Sequence, residues 1–294
     1  MFPETPSPHL FDRSPFKEIV ERARSAINAK TGFSLIRLGN GEGVMLCWPD
    51  RQLPDDLAHL LRIWFGPIDL QATELAVIAD GIRQATRSAD VLGISTRFQM
   101  SLTPSYGMVL DALDHYGLYS APQLLTDSVV HWYLQWSGAL AYLLRGLDTV
   151  HVIGCRDLGP QIVETFGVKT VHNYLVRGEY EFPGSELRPH WPDGFAEVMQ
   201  RLDAVRPGDV FLVGAGLLGK IYCDKIKTGG GVALDIGSIL DSWANVPSRQ
   251  RYKLGSSAFT LEHFKSVGSD WNAMLAALDR CAKELHARDA TLTY

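Results

Sequence analysis

The chain has 294 residues, of which 46% are hydrophobic and 21% charged, too apolar for a disordered protein and long enough for one large domain or two modest ones. Its net charge of −5 supplies no global basic field to recruit nucleic acid. No uninterrupted apolar run reaches the roughly 18 residues that a transmembrane helix needs; residues 129–147 come nearest and are broken by His131, Gln135, Ser137 and Arg145.

Residues 1–13, with Pro3, Pro6 and Pro8, read as a flexible arm, and 14–294 as one domain. The arm has no basic region followed by an apolar run, so it is not expected to act as a signal peptide. Ser14 is placed to cap a helix with Pro15 at its first position. Phe16, Ile19, Val20, Ala23, Ala26 and Ile27 recur at helical spacing as its buried face, and Thr31-Gly32 stops it. A strand over 33–38 ends abruptly in Gly39-Asn40-Gly41-Glu42. Helical spacing covers 55–88, a second strand 91–95, and further helices 105–117 and 126–146. A third strand over 149–154 leads into a helix from Gly159, and a fourth strand covers 169–175. The polar, proline-rich stretch 178–193 is too long for a simple connector and is a candidate substrate loop, whose Tyr180, Phe182 and Trp191 either face a ligand or pack among themselves. A helix over 193–205, a strand over 209–213, a glycine turn, a helix and a strand over 232–236 follow. Strands alternating with helices predict an α/β fold, a Rossmann-like, doubly wound, mostly parallel sheet with helices on both faces. The cysteines, Cys47, Cys155, Cys223 and Cys281, form no C-x-x-C pair and read as buried thiols of a reducing compartment.

In such sheets ligands bind beyond the carboxyl ends of the strands. The turn Arg37-Leu38-Gly39-Asn40-Gly41-Glu42 offers two glycines for close backbone approach and a carboxylate fit to ligate a hard metal or accept a hydroxyl. Alternatively, it is a tight strand-to-helix turn with Glu42 favoured by the helix dipole. The run Gly214-Ala215-Gly216-Leu217-Leu218-Gly219-Lys220 matches G-x-G-x-x-G between a strand and a helix; alternatively, it is a turn that needs small residues for helix–sheet packing. Such a helix start suits a phosphate, to which Lys220 adds charge, and Asp235 lies where dinucleotide enzymes hold a ribose. Residues 236–294 show no three further strands, which favours one nucleotide diphosphate over NAD. Asp235 and Ser238 place a carboxylate and a hydroxyl on the sheet rim, with Asp241 an ordinary helix-surface residue. Arg156 is a candidate phosphate contact and His172 a candidate base.

RLGNGEG after the first strand and GAGLLGKIYCDKIKTGGGVALDIGSILDSW near the end resemble the glycosyltransferases of the GT-D fold, a bacterial family that uses nucleotide sugars. Its pattern is Arg-x-Gly-Asp-Gly-Glu at the front and a glycine-rich helix start followed by Asp-Ile-Gly at the back. The resemblance implies a UDP-sugar donor and a divalent metal, manganese or magnesium, near an Asp-x-Glu motif. Glu42 matches the glutamate, as metal ligand, while Asn40 stands in place of the aspartate. An amide oxygen is the weaker ligand, so the metal is expected through Glu42 and the diphosphate or not at all. Glu42 and Asp235 become the candidate catalytic carboxylates. Arg37, Gly39, Asn40, Gly41, Gly214, Gly216, Lys220 and Ser238 become the nucleotide-sugar site. The implied activity is hexosyl transfer to a glycan or lipid-linked glycan in surface polysaccharide or glycoprotein assembly. The expected location is the cytoplasm, with peripheral contact at the inner face of the membrane left open. The competing readings are an NAD(P)-dependent oxidoreductase built on residues 214–219 and Asp235, and a non-catalytic nucleotide- or glycan-binding module.

Overall fold

The computed structural model describes residues 7–51, 53–184, 186–249, 257–267, 270, 272–278 and 280. The strands are β1 (Phe33–Arg37), β2 (Val91–Ile94), β3 (Leu124–Asp127), β4 (Thr149–Gly154), β5 (Thr170–Leu175), β6 (Val210–Gly214) and β7 (Val232–Asp235). They form one seven-stranded sheet in the order β3-β2-β1-β7-β6-β4-β5, and every pairing is parallel. The principal helices are α1 (Phe16–Ala29), α2 (Asn40–Cys47), α3 (Pro54–Phe65), α4 (Ala72–Ser88), α5 (Arg97–Leu102), α6 (Pro104–His115), α7 (Val130–Trp136), α8 (Ala139–Leu144), α9 (Gly159–Phe166), α10 (Phe195–Arg201), α11 (Gly219–Thr228) and α12 (Ile239–Trp243).

The strands are apolar at consecutive positions because both faces of a parallel sheet are covered. Successive side chains of a strand point to opposite faces. In β6, Phe211 and Val213 join a core with α2, α4, α6 and α11, while Val210 and Leu212 join a second core with α1, α7, α8 and α9. Among the described residues no helix is long and apolar enough to cross a membrane.

Four local expectations are corrected. Ser14 does not cap α1, whose N-cap is Pro15 with no side-chain bond. Its backbone N–H instead donates to the Leu125 carbonyl at 2.8 Å and its hydroxyl accepts the Leu125 N–H at 3.2 Å, stitching the chain to β3. Residues 7–13 of the arm are packed: Leu10 is fully buried and Arg13 pairs with Asp127 at 2.9 Å. The run 55–88 is two helices, because Gly66 leaves α3 at φ 77° and ψ −159°, where a side chain is strained. The next helix restarts with the Glu74 carboxylate accepting the Gln71 N–H at 2.9 Å. The run 126–146 hides the end of β3 and a break at Gly138, φ 78°. Its tryptophans recur at helical spacing, and that periodicity masked the four-residue strand before them.

Candidate functional site

Parallel pairing brings all the strand carboxyl ends to one edge, and a cavity of about 1780 Å³ opens there. That exceeds the roughly 300–1,000 Å³ of ordinary ligand pockets and leaves room for two substrates. Arg37, Gly39, Asn40, Glu42, Gly214, Gly216, Lys220, Asp235 and Ser238 all line it; Gly41 does not.

Four of these residues form one ionic cluster at its floor. Arg37 ends β1 and Asp235 ends the neighbouring β7, while Glu42 lies in the first turn of α2 and Lys220 in the first turn of α11. The Lys220 ammonium lies 2.9 Å from Glu42 Oε1 and 2.9 Å from Asp235 Oδ2, and donates to the Gly216 carbonyl at 3.2 Å. Arg37 Nη2 is 3.3 Å from Asp235 Oδ1, its Nε donates to the Asp235 carbonyl at 3.0 Å, and its Nη1 donates to His131 Nδ1 at 2.9 Å. Glu42 Oε2 accepts the Gly39 N–H at 2.9 Å, which satisfies a donor that the start of α2 would otherwise orphan.

Burial alone would raise the Asp235 carboxyl, but Arg37 and Lys220 together outweigh it and hold the group below the usual carboxylate range. For Lys220 burial works toward neutrality, and Asp235 and Glu42 overcome it to push the ammonium upward. Asp235 and Lys220 are therefore each held in the charged form, side by side with Arg37 and Glu42.

This arrangement revises several expected roles. Lys220 is spent on two carboxylates rather than held out toward a phosphate. Both Asp235 oxygens are engaged, since Oδ2 also accepts the Arg37 N–H at 3.2 Å, so Asp235 is not presented to a ribose. A divalent cation needs vacant anionic oxygens. Glu42 has given one to Lys220 and the other to Gly39, and no group of three His, Cys, Asp or Glu is gathered for a metal among the described residues. The residues as arranged do not fit a metal centre.

The glycine turns are explained by packing. A Cβ at Gly41 would fall inside the indole of Trp64, and one at Gly216, where φ is +55°, would come within 3.2 Å of the same ring. Trp64 thus bridges both turns, filling the space reserved in the sequence for a ligand. A Cβ at Gly237 would strike the Arg37 guanidinium.

Elsewhere, Arg156 is not open to phosphate. Its Nε donates to Asp241 Oδ1 at 2.8 Å, and it also bonds the Pro183 carbonyl. Asp241 is accordingly a cavity-lining anchor, accepting the Ser248 hydroxyl at 2.7 Å as well. His172 is exposed on the edge strand β5 and does not line the cavity. In the 178–193 loop Phe182 lines the cavity, but Trp191 is buried, its indole N–H donating to Glu74 at 2.8 Å. Cys47 and Cys223 are buried as expected, Cys155 lines the cavity half-exposed, and Cys281 lies outside the described residues. The cavity is also lined by residues that the sequence does not single out, Trp64, Asp127, His131 and Arg177 among them. Asp127 and Arg177 follow the strand-end rule. Neither carries a local signal: β3 is only four residues long, and Arg177 lies two residues past the end of β5.

The GT-D fold-like domain family model matches residues 15–243, a span that contains the sheet and the whole ionic cluster. The chain belongs to this family. Two solved structures are similar to this GT-D-like chain. A glycosyltransferase from Streptococcus sanguinis (DUF1792) shares 16% identity over 81% of this chain and 84% of its own, with a TM-score of 0.48. A selenomethionine-substituted domain of unknown function (DUF1792) shares 15% identity over 81% of each chain, also with a TM-score of 0.48. No curated protein matches the chain.

Proposed function

We propose that the chain is a glycosyltransferase that moves a hexose from a UDP-sugar to a hydroxyl of a glycan or lipid-linked glycan in surface polysaccharide or glycoprotein assembly. The observation that carries this reading is the family match across residues 15–243. The large cavity at the strand ends supports it, being able to hold donor and acceptor together.

In the transfer, the bond from the anomeric carbon to the diphosphate oxygen breaks and its electron pair leaves with the diphosphate. The acceptor oxygen bonds that carbon and gives up its proton. Glu42 is the better placed of the two acids to take that proton, being 8% exposed against 2% for Asp235, and it must first release one of its two contacts, with Lys220 or with the Gly39 N–H. Asp235 acts as a positioning residue that fixes Arg37 and Lys220. The Lys220 ammonium, 2.9 Å from Glu42 Oε1, faces the carboxylate with an opposite charge.

The test measures UDP release and sugar transfer across a panel of UDP-sugars, with and without manganese. Glu42→Gln keeps the shape and an acceptor for Gly39, and it should lower kcat by roughly 10²-fold or more, about 2.7 kcal/mol of transition-state stabilisation. Full activity in the folded variant removes Glu42 from the reaction. Binding without turnover in the wild type favours the binding-module reading instead.

A further inference from the structure

The cavity is not basic overall. Its acidic side chains are at least as numerous as its basic ones, and Arg13, Arg37, Lys220 and Arg249 each stand against a carboxylate. An anion entering it gains nothing from a general field and must find a local donor.

Arg177 is different. It lies two residues beyond β5 and lines the cavity, yet no described residue supplies its guanidinium with a hydrogen-bond acceptor or a carboxylate. Its Nε is buried with no partner. The ring of Tyr180 lies 5.7 Å from the guanidinium carbon, and a Cβ at Gly66, at the end of α3, would come within 3.4 Å of Nη2. The Tyr180 N–H donates to the Ile63 carbonyl of α3 at 2.7 Å, so this loop and the helix that carries Trp64 are tied together beside Arg177. A buried donor on a charged group, left unsatisfied, is destabilising unless something outside the chain completes it.

We propose that Arg177 binds the diphosphate of the substrate. This rests on the transferase reading, and the planar fork of guanidinium donors matches phosphate oxygens in pairs. Two diphosphates could reach this cavity, that of a nucleotide sugar and that of a lipid-linked acceptor, and both present the same chemistry to Arg177.

Calorimetric titration of the full chain with pyrophosphate, UDP, farnesyl diphosphate and uridine provides the test. In Arg177→Gln the affinity for pyrophosphate should fall about 10- to 100-fold, the equivalent of one strong charge-assisted contact, while uridine binding stays unchanged. A loss for UDP assigns the contact to the donor, and a loss confined to farnesyl diphosphate assigns it to the acceptor. Without ligand, the melting temperature of the variant should be no lower than that of the wild type, because a frustrated donor has been removed. Arg177→Lys, which keeps charge but not the fork, should bind with intermediate affinity and serves if the glutamine variant does not fold. Equal diphosphate affinity in wild type and variant overturns the proposal, as does a folded wild type that binds none of the diphosphates. If no UDP-sugar is turned over but pyrophosphate binding depends on Arg177, the transferase reading fails and the anion site stands.

Discussion

Gly41 and Trp64 share one volume, and neither can be understood alone. Adding a methyl group at Gly41 puts it into the indole, and overpacking of this kind typically destabilises by about 1–3 kcal/mol. Gly41→Ala should therefore be costly in the wild type and nearly neutral in a Trp64→Ala background. A double-mutant cycle by urea denaturation should show a coupling of about 1 kcal/mol or more. An equal cost in both backgrounds would show that the glycine serves its own backbone and not the ring. The sequence made both glycine turns conspicuous, and the nine lining residues named from it do reach one cavity. What fills the turns was not legible, because Trp64 sits in a helical run with no local sign of where its ring points. The ionic cluster was hidden for the same reason: Arg37 and Asp235 are 198 residues apart, and no spacing rule joins β1 to β7.

At the scale of elements, the α3–α4 break decides where Trp64 and Arg177 sit. Residues 55–88 carry enough helical periodicity to read as one helix, and Gly66 and Pro67 override it. Gly66 combines φ 77° with ψ −159°, a region essentially restricted to glycine that costs other residues about 1–3 kcal/mol. Gly66→Ala should lower stability by that amount in chemical denaturation. A neutral result would mean that α3 can run on past residue 65. Long periodic elements such as α1 and the hydrophobic strands β4 and β6 were readable because their patterns are local. Strand β3 was not, since four residues carry too little pattern and its identity comes from pairing with β2, where Val91 faces Leu124 and Ile94 faces Asp127.

For the whole molecule, the all-parallel sheet gathers charges from distant segments to one edge, and stability there is tied to pH through the cluster. Lys220→Met would leave the Glu42 and Asp235 carboxylates buried without their shared ammonium. Loss of one partner from a buried ion pair costs about 3–5 kcal/mol. The sign of the pH dependence follows from the two shifts. Asp235 is lowered in the folded state, so its contribution is complete above its unfolded value of about 3.9 and fades as pH falls through the lower folded one. Lys220 is raised, so its contribution is complete below about 10.4 and fades as pH rises through the higher folded value. The deficit of Lys220→Met relative to wild type, from urea unfolding across that range, should form a plateau between about pH 5 and pH 9, inside both unfolded values. It should shrink at both ends, in acid as Asp235 protonates and in alkali as the wild-type Lys220 ammonium loses its charge. A deficit constant at every pH would mean that Lys220 stabilises the fold through its aliphatic stem alone, and that the charges at the floor of the cavity are held apart by something other than their pairing.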